Sequence, residues 1–155
     1  MSKSLKRVKT ALLAAGSDAV PDEVGQATTA QMAADLVGCT VDQIAKSIIF
    51  RGEDSGAAIL FVTAGGNQVD AAKASLLAGE PLGKADADLI RAQTGFAIGG
   101  VSPVGHLTQP RAFFDPRLLD FDRVWAAAGT PRHVFGIDPS ELLRISGADR
   151  ADFTV

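Results

Sequence analysis

Apolar and polar positions change period several times along the chain. Leu5, Val8 and Leu12 recur at helical spacing with Lys3, Lys6, Arg7 and Lys9 between them, which predicts an amphipathic surface helix. "SDAVPDEV" then reads as a turn and a short strand. Thr28 or Thr29 can cap a helix that runs through Leu36 and is closed by Gly38. "VDQIAK" adds a helical turn, and "SIIFR" and "AAILFVTAG" follow as apolar runs of strand length joined by the turn "GEDSG". The second run is apolar throughout, as a strand buried on both faces requires.

Beyond that hairpin, "VDAAKASLLAG" predicts a helix with Val69, Ala72 and Leu76 on one side, and "DADLIRAQTG" a helix stopped by Gly95. "FAIGGV" and "RAFFD" read as strands flanking a glycine-rich loop. Leu118, Phe121, Trp125 and Ala128 at helical spacing predict a helix over 117–128. "HVFGI" reads as a strand, and Asp138, Pro139 and Glu141 mark a last helix start. Strands and helices interleave without regular βαβ units. The expected fold is α/β: one domain over 1–155, with a mixed, mostly antiparallel sheet or partial barrel and helices around it.

Composition narrows the chemistry. The chain has 155 residues, 46% apolar and 21% charged, enough for one real core. No apolar run reaches the roughly 18 residues a bilayer span needs, and the basic start reads as a surface helix rather than a signal peptide. A cytoplasmic protein is expected, with neither membrane nor DNA as partner. A net charge of −3 argues against broad coating of nucleic acid but leaves room for a local basic patch that grips an RNA end. Arg51, Arg111, Arg117, Arg132 and the N-terminal lysines are candidates for such contacts. Cys39 is the only cysteine and reads as a small buried thiol at a helix end. With two histidines far apart, no metal site and no cofactor are expected.

The stretch "GFAIGGVSPVGH" holds four glycines in twelve positions. It is no Walker loop, no dinucleotide fingerprint and no nucleophile elbow, because Gly99 and Gly100 are adjacent and Pro103 follows Ser102. Two readings stay open. Its backbone can hold an anion or a water against a carbonyl, or it can form a tight bend at a barrel corner. Lys46, where a helical turn passes into an apolar strand, is likewise either a snorkelling lysine or a fixed cation facing substrate.

Both features occur together in a known pattern. Through "TTAQMAADLVGCTVDQIAKSIIFR", "AAILFVTAGGNQVDAAKASLL", "ADADLIRAQTGFAIGGVSPVGH" and "AAAGTPRHVFGIDPSELLRI" the sequence resembles the YbaK/ProX family of aminoacyl-tRNA deacylases, related to the editing insertion of prolyl-tRNA synthetases. The likeness covers nearly the whole chain. It implies trans-editing: hydrolysis of the ester between a wrongly attached small amino acid, such as alanine or 2-aminobutyrate, and the 3′ end of a tRNA, that for proline being the first candidate. Prolyl-tRNA synthetase is a candidate second partner. The resemblance makes Lys46, Gly99 and Gly100 catalytic, and places Ser47, Ser102, Pro103, Gly129, Thr130 and His133 at the substrate. No metal is called for, because the ester is already activated and needs only a placed water and a stabilised oxyanion. Val37, Ile44, Phe96, Ile98 and Val134 are candidates for the pocket lining, and His106 for a solvated loop residue. "AAGTPRHVF" and Ser47 depart from individual branches of the family, which leaves the amino acid open. A tRNA- or synthetase-binding module without catalysis is the alternative function.

Overall fold

The structure, a computed structural model, describes residues 2–155. The first helix, α1 (Lys3–Ala14), buries Leu5, Val8 and Leu12, the three positions its period singles out, and Ser2 caps it through the Leu5 N–H. A two-residue strand β1 (Asp22–Glu23) follows, then α2 (Ala30–Val37), capped by Thr29 and closed by Gly38 in the left-handed region. A 3-10 turn over Val41–Gln43 leads into β2 (Ala45–Gly52) and β3 (Ala58–Ala64). After α3 (Ala71–Ala78) come β4 (Leu82–Lys84), α4 (Ala87–Thr94) and β5 (Arg111–Phe114). The chain finishes with a 3-10 turn over Pro116–Asp120, β6 (Val124–Ala127), β7 (His133–Ile137), α5 (Pro139–Ser146) and β8 (Asp149–Arg150).

The strands form two sheets, ordered β4-β2-β3-β5-β8 and β1-β7-β6. Pairing is antiparallel except at β3–β5 and β5–β8, so the sheets are mixed and mostly antiparallel and no barrel closes. One parallel bridge, Ile44 to Trp125, links them. The larger core lies between the sheets under α1 and α5, around Leu60, Val62, Phe96, Phe114 and Phe135. A second cluster, Phe61, Phe113 and Phe153, packs on the other face of the five-stranded sheet against α3. All seven residues of β3 are buried, in accord with its unbroken apolar run.

Three sequence expectations give way. The segment 117–128 is a short turn followed by a strand, not a helix. Asp115 and Pro116 start a turn that ends at Asp120, and Val124–Ala127 alternate buried and half-buried as they pair with β7. "FAIGGV" is irregular: Phe96 is in the core, whereas Ala97, Ile98 and Gly99 are exposed. On α3 the inner face is Ala74 and Ala78, and Leu76 is 83% exposed. The phenylalanines beneath leave room only for methyl groups. Among the described residues no helix is long and apolar enough to cross a membrane.

Candidate active site

β4 pairs only with Phe50–Gly52 of β2, so the first half of β2 is an open sheet edge. Across from it stand β6 and β7, and a cavity of about 370 Å³ opens between them. This is the small end of the usual range for ligand pockets. Ala45–Ile49 line one side, and Trp125–Ala127, Thr130 and His133 the other. The start of α2 (Thr28, Thr29, Ala30) and the turn at Ile98, Gly99 and Val101 close the ends.

Lys46 and Ser47 leave β2 on opposite faces, as neighbours on a strand must. Ser47 stands opposite Val62. The Val62 carbonyl accepts from Asp115 N–H at 2.9 Å, so Val62 bonds away from β2. The Ser47–Val62 pair is therefore of the non-hydrogen-bonded kind, and the Ser47 N–H and C=O point to the open edge. Its hydroxyl is fully shielded and has no hydrogen-bond partner among the described residues. Ser47 thus turns its N–H and C=O to the edge beside the cavity, with an unsatisfied hydroxyl next to them.

Lys46 also lines the cavity, and its Nζ donates to the Gly65 carbonyl at 3.1 Å. That carbonyl belongs to a loop, Gly65–Asn67, which two carboxylates clamp. Asp115, 2% exposed, accepts from Ala64 N–H and Asn67 Nδ2 at 3.1 and 2.9 Å. Asp42 accepts from Gly66 N–H at 2.9 Å and from Arg117 Nε at 3.1 Å. Burial pushes the Lys46 ammonium below the ordinary lysine value, while the charges of Asp42 and Asp115 pull it back up. One of its three hydrogens is engaged, which leaves two for a ligand.

In the glycine loop the residues part company. Gly99 has φ +92° and open space where a Cβ would stand, so it can face a ligand with bare backbone. Gly100 is buried, and its N–H donates to Ala97 O in a turn. A Cβ there would lie 2.9 Å from Thr130 Cα, so Gly100 allows the two loops to touch rather than offering a donor. Ser102 is wholly buried, with its Oγ accepting from Val104 N–H. Pro103 is buried too, and neither residue lines the cavity. Gly129 lies behind the wall against α1.

Thr130 and His133 do come together at the cavity. The Thr130 hydroxyl accepts from Arg132 N–H and lies 2.7 Å from His133 Nδ1. His133 Nε2 stands 3.4 Å from Glu23 Oε2, so the ring is held between a hydroxyl and a carboxylate. Of the five candidate lining residues, Ile44, Ile98 and Val134 are in the wall, whereas Val37 is not and Phe96 is core.

His106 is not a solvated loop residue. Its Nε2 donates to Ser102 O at 2.6 Å, its ring meets Phe96 edge-on, and its Nδ1 is buried without a partner among the described residues. Burial pushes the imidazole below the usual histidine value, the Ser102 bond opposes this, and the charge of Arg7 adds to it. Cys39 is half-buried, burial raises its thiol, and its S–H donates to Thr40 O. No group of three or more potential metal ligands occurs among the described residues.

Sequence reading missed Asp42, Asp115, Gly65 and Asn67, the groups that hold Lys46 in place. The pair Gly65–Gly66 directly after a buried strand was the available signal.

Comparison with known proteins matches this architecture. A Bacillus subtilis (strain 168) protein described as uncharacterized protein YwhH is 34% identical over 130 residues, 84% of this chain and 82% of that one. A crystal structure described as that of a candidate trans-editing enzyme for prolyl tRNA synthetase is 46% identical, with a TM-score of 0.92 over 100% of this chain and 99% of its own. Another, of hypothetical protein APE2540, is 26% identical with a TM-score of 0.88, over 96% of this chain and 99% of that one. Residues 24–145 match the aminoacyl-tRNA editing domain, a span that takes in the β2 edge, the Lys46 clamp, the Gly99 turn and His133, so the chain belongs to the aminoacyl-tRNA editing domain family.

Proposed function

We propose that this protein is a trans-editing deacylase that hydrolyses the ester of a mischarged tRNA, with tRNA for proline carrying a small amino acid as the first substrate to test. The observation that carries the reading is the meeting, along one cavity, of the clamped Lys46, Ser47 with its unpartnered hydroxyl, and the bare backbone of Gly99. A relative 46% identical over the whole chain is described as a candidate trans-editing enzyme for prolyl tRNA synthetase, which supports the choice of tRNA.

In this scheme water attacks the ester carbonyl carbon and the negative charge passes to the carbonyl oxygen. Lys46, with two free hydrogens, stabilises that oxygen, and Gly99 leaves space for the water. Collapse of the intermediate breaks the bond to the ribose oxygen, which takes the proton that the attacking water gives up. Free amino acid and tRNA result. Ser47 holds the aminoacyl group through its edge N–H, C=O and hydroxyl. The apolar wall of Ile44, Val134 and Trp125 sets the size of side chain admitted, as in a double sieve. The scheme asks for no metal, since an ester needs only orientation and oxyanion stabilisation. His133 is a wall group that contacts the amino acid or the terminal nucleoside.

A deacylation panel tests this. tRNA for proline charged with alanine, 2-aminobutyrate, serine, threonine, cysteine or proline is incubated with the protein and with Lys46→Ala. Rapid loss of one or two small amino acids, with proline spared and the variant inactive, is expected. Survival of every ester at its spontaneous rate refutes the deacylase on this tRNA.

A further inference from the structure

The chain has 15 lysines and arginines against a net charge of −3. The four arginines expected at an RNA surface are all occupied. Arg51 pairs with Glu53 at 3.2 Å, and Arg132 with Glu23 at 3.6 Å. Arg117 pairs with Asp42 and Asp120, and Arg111 caps the carbonyl end of α3 at Ala78 and Leu77. Each would have to exchange a protein partner for a phosphate.

Seven other cations make no ion pair or side-chain hydrogen bond among the described residues: Lys84, Arg150, Arg123, which lies over the Trp125 ring, and the four that α1 and α4 carry, Lys3, Lys6, Lys9 and Arg91. Lys3, Lys6 and Arg91 are exposed and Lys9 is half-buried. The first turn of α1 holds no acidic residue, so its positive helix end adds to the charge. The three lysines recur every third residue and span about 9 Å of helix rise.

The two helices that carry these four cations meet beside the cavity. Ser4 Oγ donates to Gly95 O, the end of α4, at 3.3 Å, and Arg7 Nη2 bonds the same carbonyl at 2.7 Å. Ile90, the neighbour of Arg91, lies in the cavity wall. On the other flank a Cβ at Gly129 would lie 2.7 Å from Ser4 O, so the start of α1 rests on the residue before the wall residue Thr130.

We propose that the first two turns of α1, together with Arg91, form the surface on which the phosphate backbone of the tRNA acceptor end docks while its terminal ester lies in the cavity. The inference rests on the deacylase reading for its choice of RNA. It goes beyond that reading by separating the groups that hold the tRNA from those that act on the ester. Phosphate contacts of this kind set position and affinity and carry no sequence information of their own.

The test compares Lys3→Gln/Lys6→Gln with Lys73→Gln/Arg150→Gln, which removes the same charge on the α3 and β8 side of the molecule. Glutamine keeps the helix propensity of lysine, so α1 stays folded, as circular dichroism verifies. Filter binding of uncharged tRNA is measured from 50 to 200 mM salt, and deacylation is measured on full-length charged tRNA and on aminoacyl-adenosine. The α1 variant is expected to bind tRNA about tenfold more weakly at 0.1 M salt, with the slope of log K against log salt reduced by roughly 1.5. Its KM for charged tRNA rises, while kcat and hydrolysis of aminoacyl-adenosine stay unchanged. The control variant keeps the native slope. Equal losses in both variants, or an unaltered slope in the α1 variant, overturn the docking surface. If the native protein hydrolyses neither ester, the deacylase reading fails, while the binding slopes still decide whether α1 holds RNA.

Discussion

Replacing Lys46 by methionine removes one charge while keeping the stem that packs along the cavity wall. A full charge about 4 Å from a counter-charge is worth about 4 kcal/mol at an effective dielectric of about 20. The ester oxygen gains only part of a charge between ground state and transition state, so the differential stabilisation is about 2–4 kcal/mol. That predicts a fall in kcat of roughly 30- to 1,000-fold. The clamp sharpens the expectation, because the Gly65 carbonyl fixes the ammonium before substrate arrives and no ordering cost remains at the moment of reaction. Lys46→Arg should not rescue it, since a planar guanidinium cannot take the same three-way geometry in the loop. The assay is single-turnover deacylation of the best substrate from the panel, with melting temperature as the check on folding. A lysine that merely anchors a phosphate would raise KM and leave kcat alone. A kcat within threefold of the native value in a folded Lys46→Met refutes the oxyanion role.

Three further outcomes follow from the geometry. Ser47→Ala removes a buried hydroxyl without a partner, so the melting temperature should not fall, while kcat/KM drops roughly 3- to 10-fold for the lost hydrogen bond; a destabilised variant of native activity would make Ser47 structural. Gly100→Ala puts a Cβ 2.9 Å from Thr130 Cα, backbone that cannot step aside, so it should cost about 1–3 kcal/mol and displace the Gly99 turn, cutting activity about 100-fold. Unchanged turnover in Gly100→Ala would show that the contact of the two loops does not matter to the site. Burial pushes the folded His106 imidazole below its ordinary value, so the unfolded chain takes up a proton first as pH falls. Stability should therefore be full above the ordinary histidine value of 6.5 and decline below it, levelling off under the lowered native value. His106→Gln, which can still donate to Ser102 O, should show a flatter melting temperature between pH 7.5 and 5.5, and parallel curves would exclude His106 as the cause.

What the sequence made legible is local chemistry. Thr29 and Asp138 cap their helices through neighbouring N–H groups, and Gly38, Gly79 and Gly95 end theirs in the left-handed region. Each of these depends on residues within four positions. The β2–β3 hairpin was legible for the same reason. The helix expected over 117–128 fails because its apolar spacing is indifferent to two distant demands. Arg117 is drawn to Asp42, 75 positions away, and Val124–Ala127 have to complete a ladder with β7. Both bind after the chain has folded back, and periodicity carries no trace of either. The irregular course of 96–101 has a similar origin: Phe96 is drawn into the core under α1 while Gly99 turns outward at the cavity.

The candidate site shows the same division more sharply. Lys46 and Ser47 are visible as polar interruptions just before the apolar run Ile48–Phe50, whereas what holds them is invisible. A half-buried ammonium is costly, and the fold offsets that cost with Asp115 and Asp42. Neither carboxylate touches Lys46 Nζ; each fixes the loop whose carbonyl does. Asp115 reaches this position because β5 runs parallel to β3 and ends beside it, a topological fact set by the crossover between them. The Ser47 N–H and C=O face an edge without a β4 partner because β4 is short and stops pairing at Phe50. The chemistry-bearing residues are thus two neighbours on one strand, and their reactivity is set by where two other strands begin and end. Local rules are broken where Lys46 and Ser47 stand, with a desolvated cation beside an unpartnered hydroxyl, and such breaches are expected where a fold is held ready for a ligand.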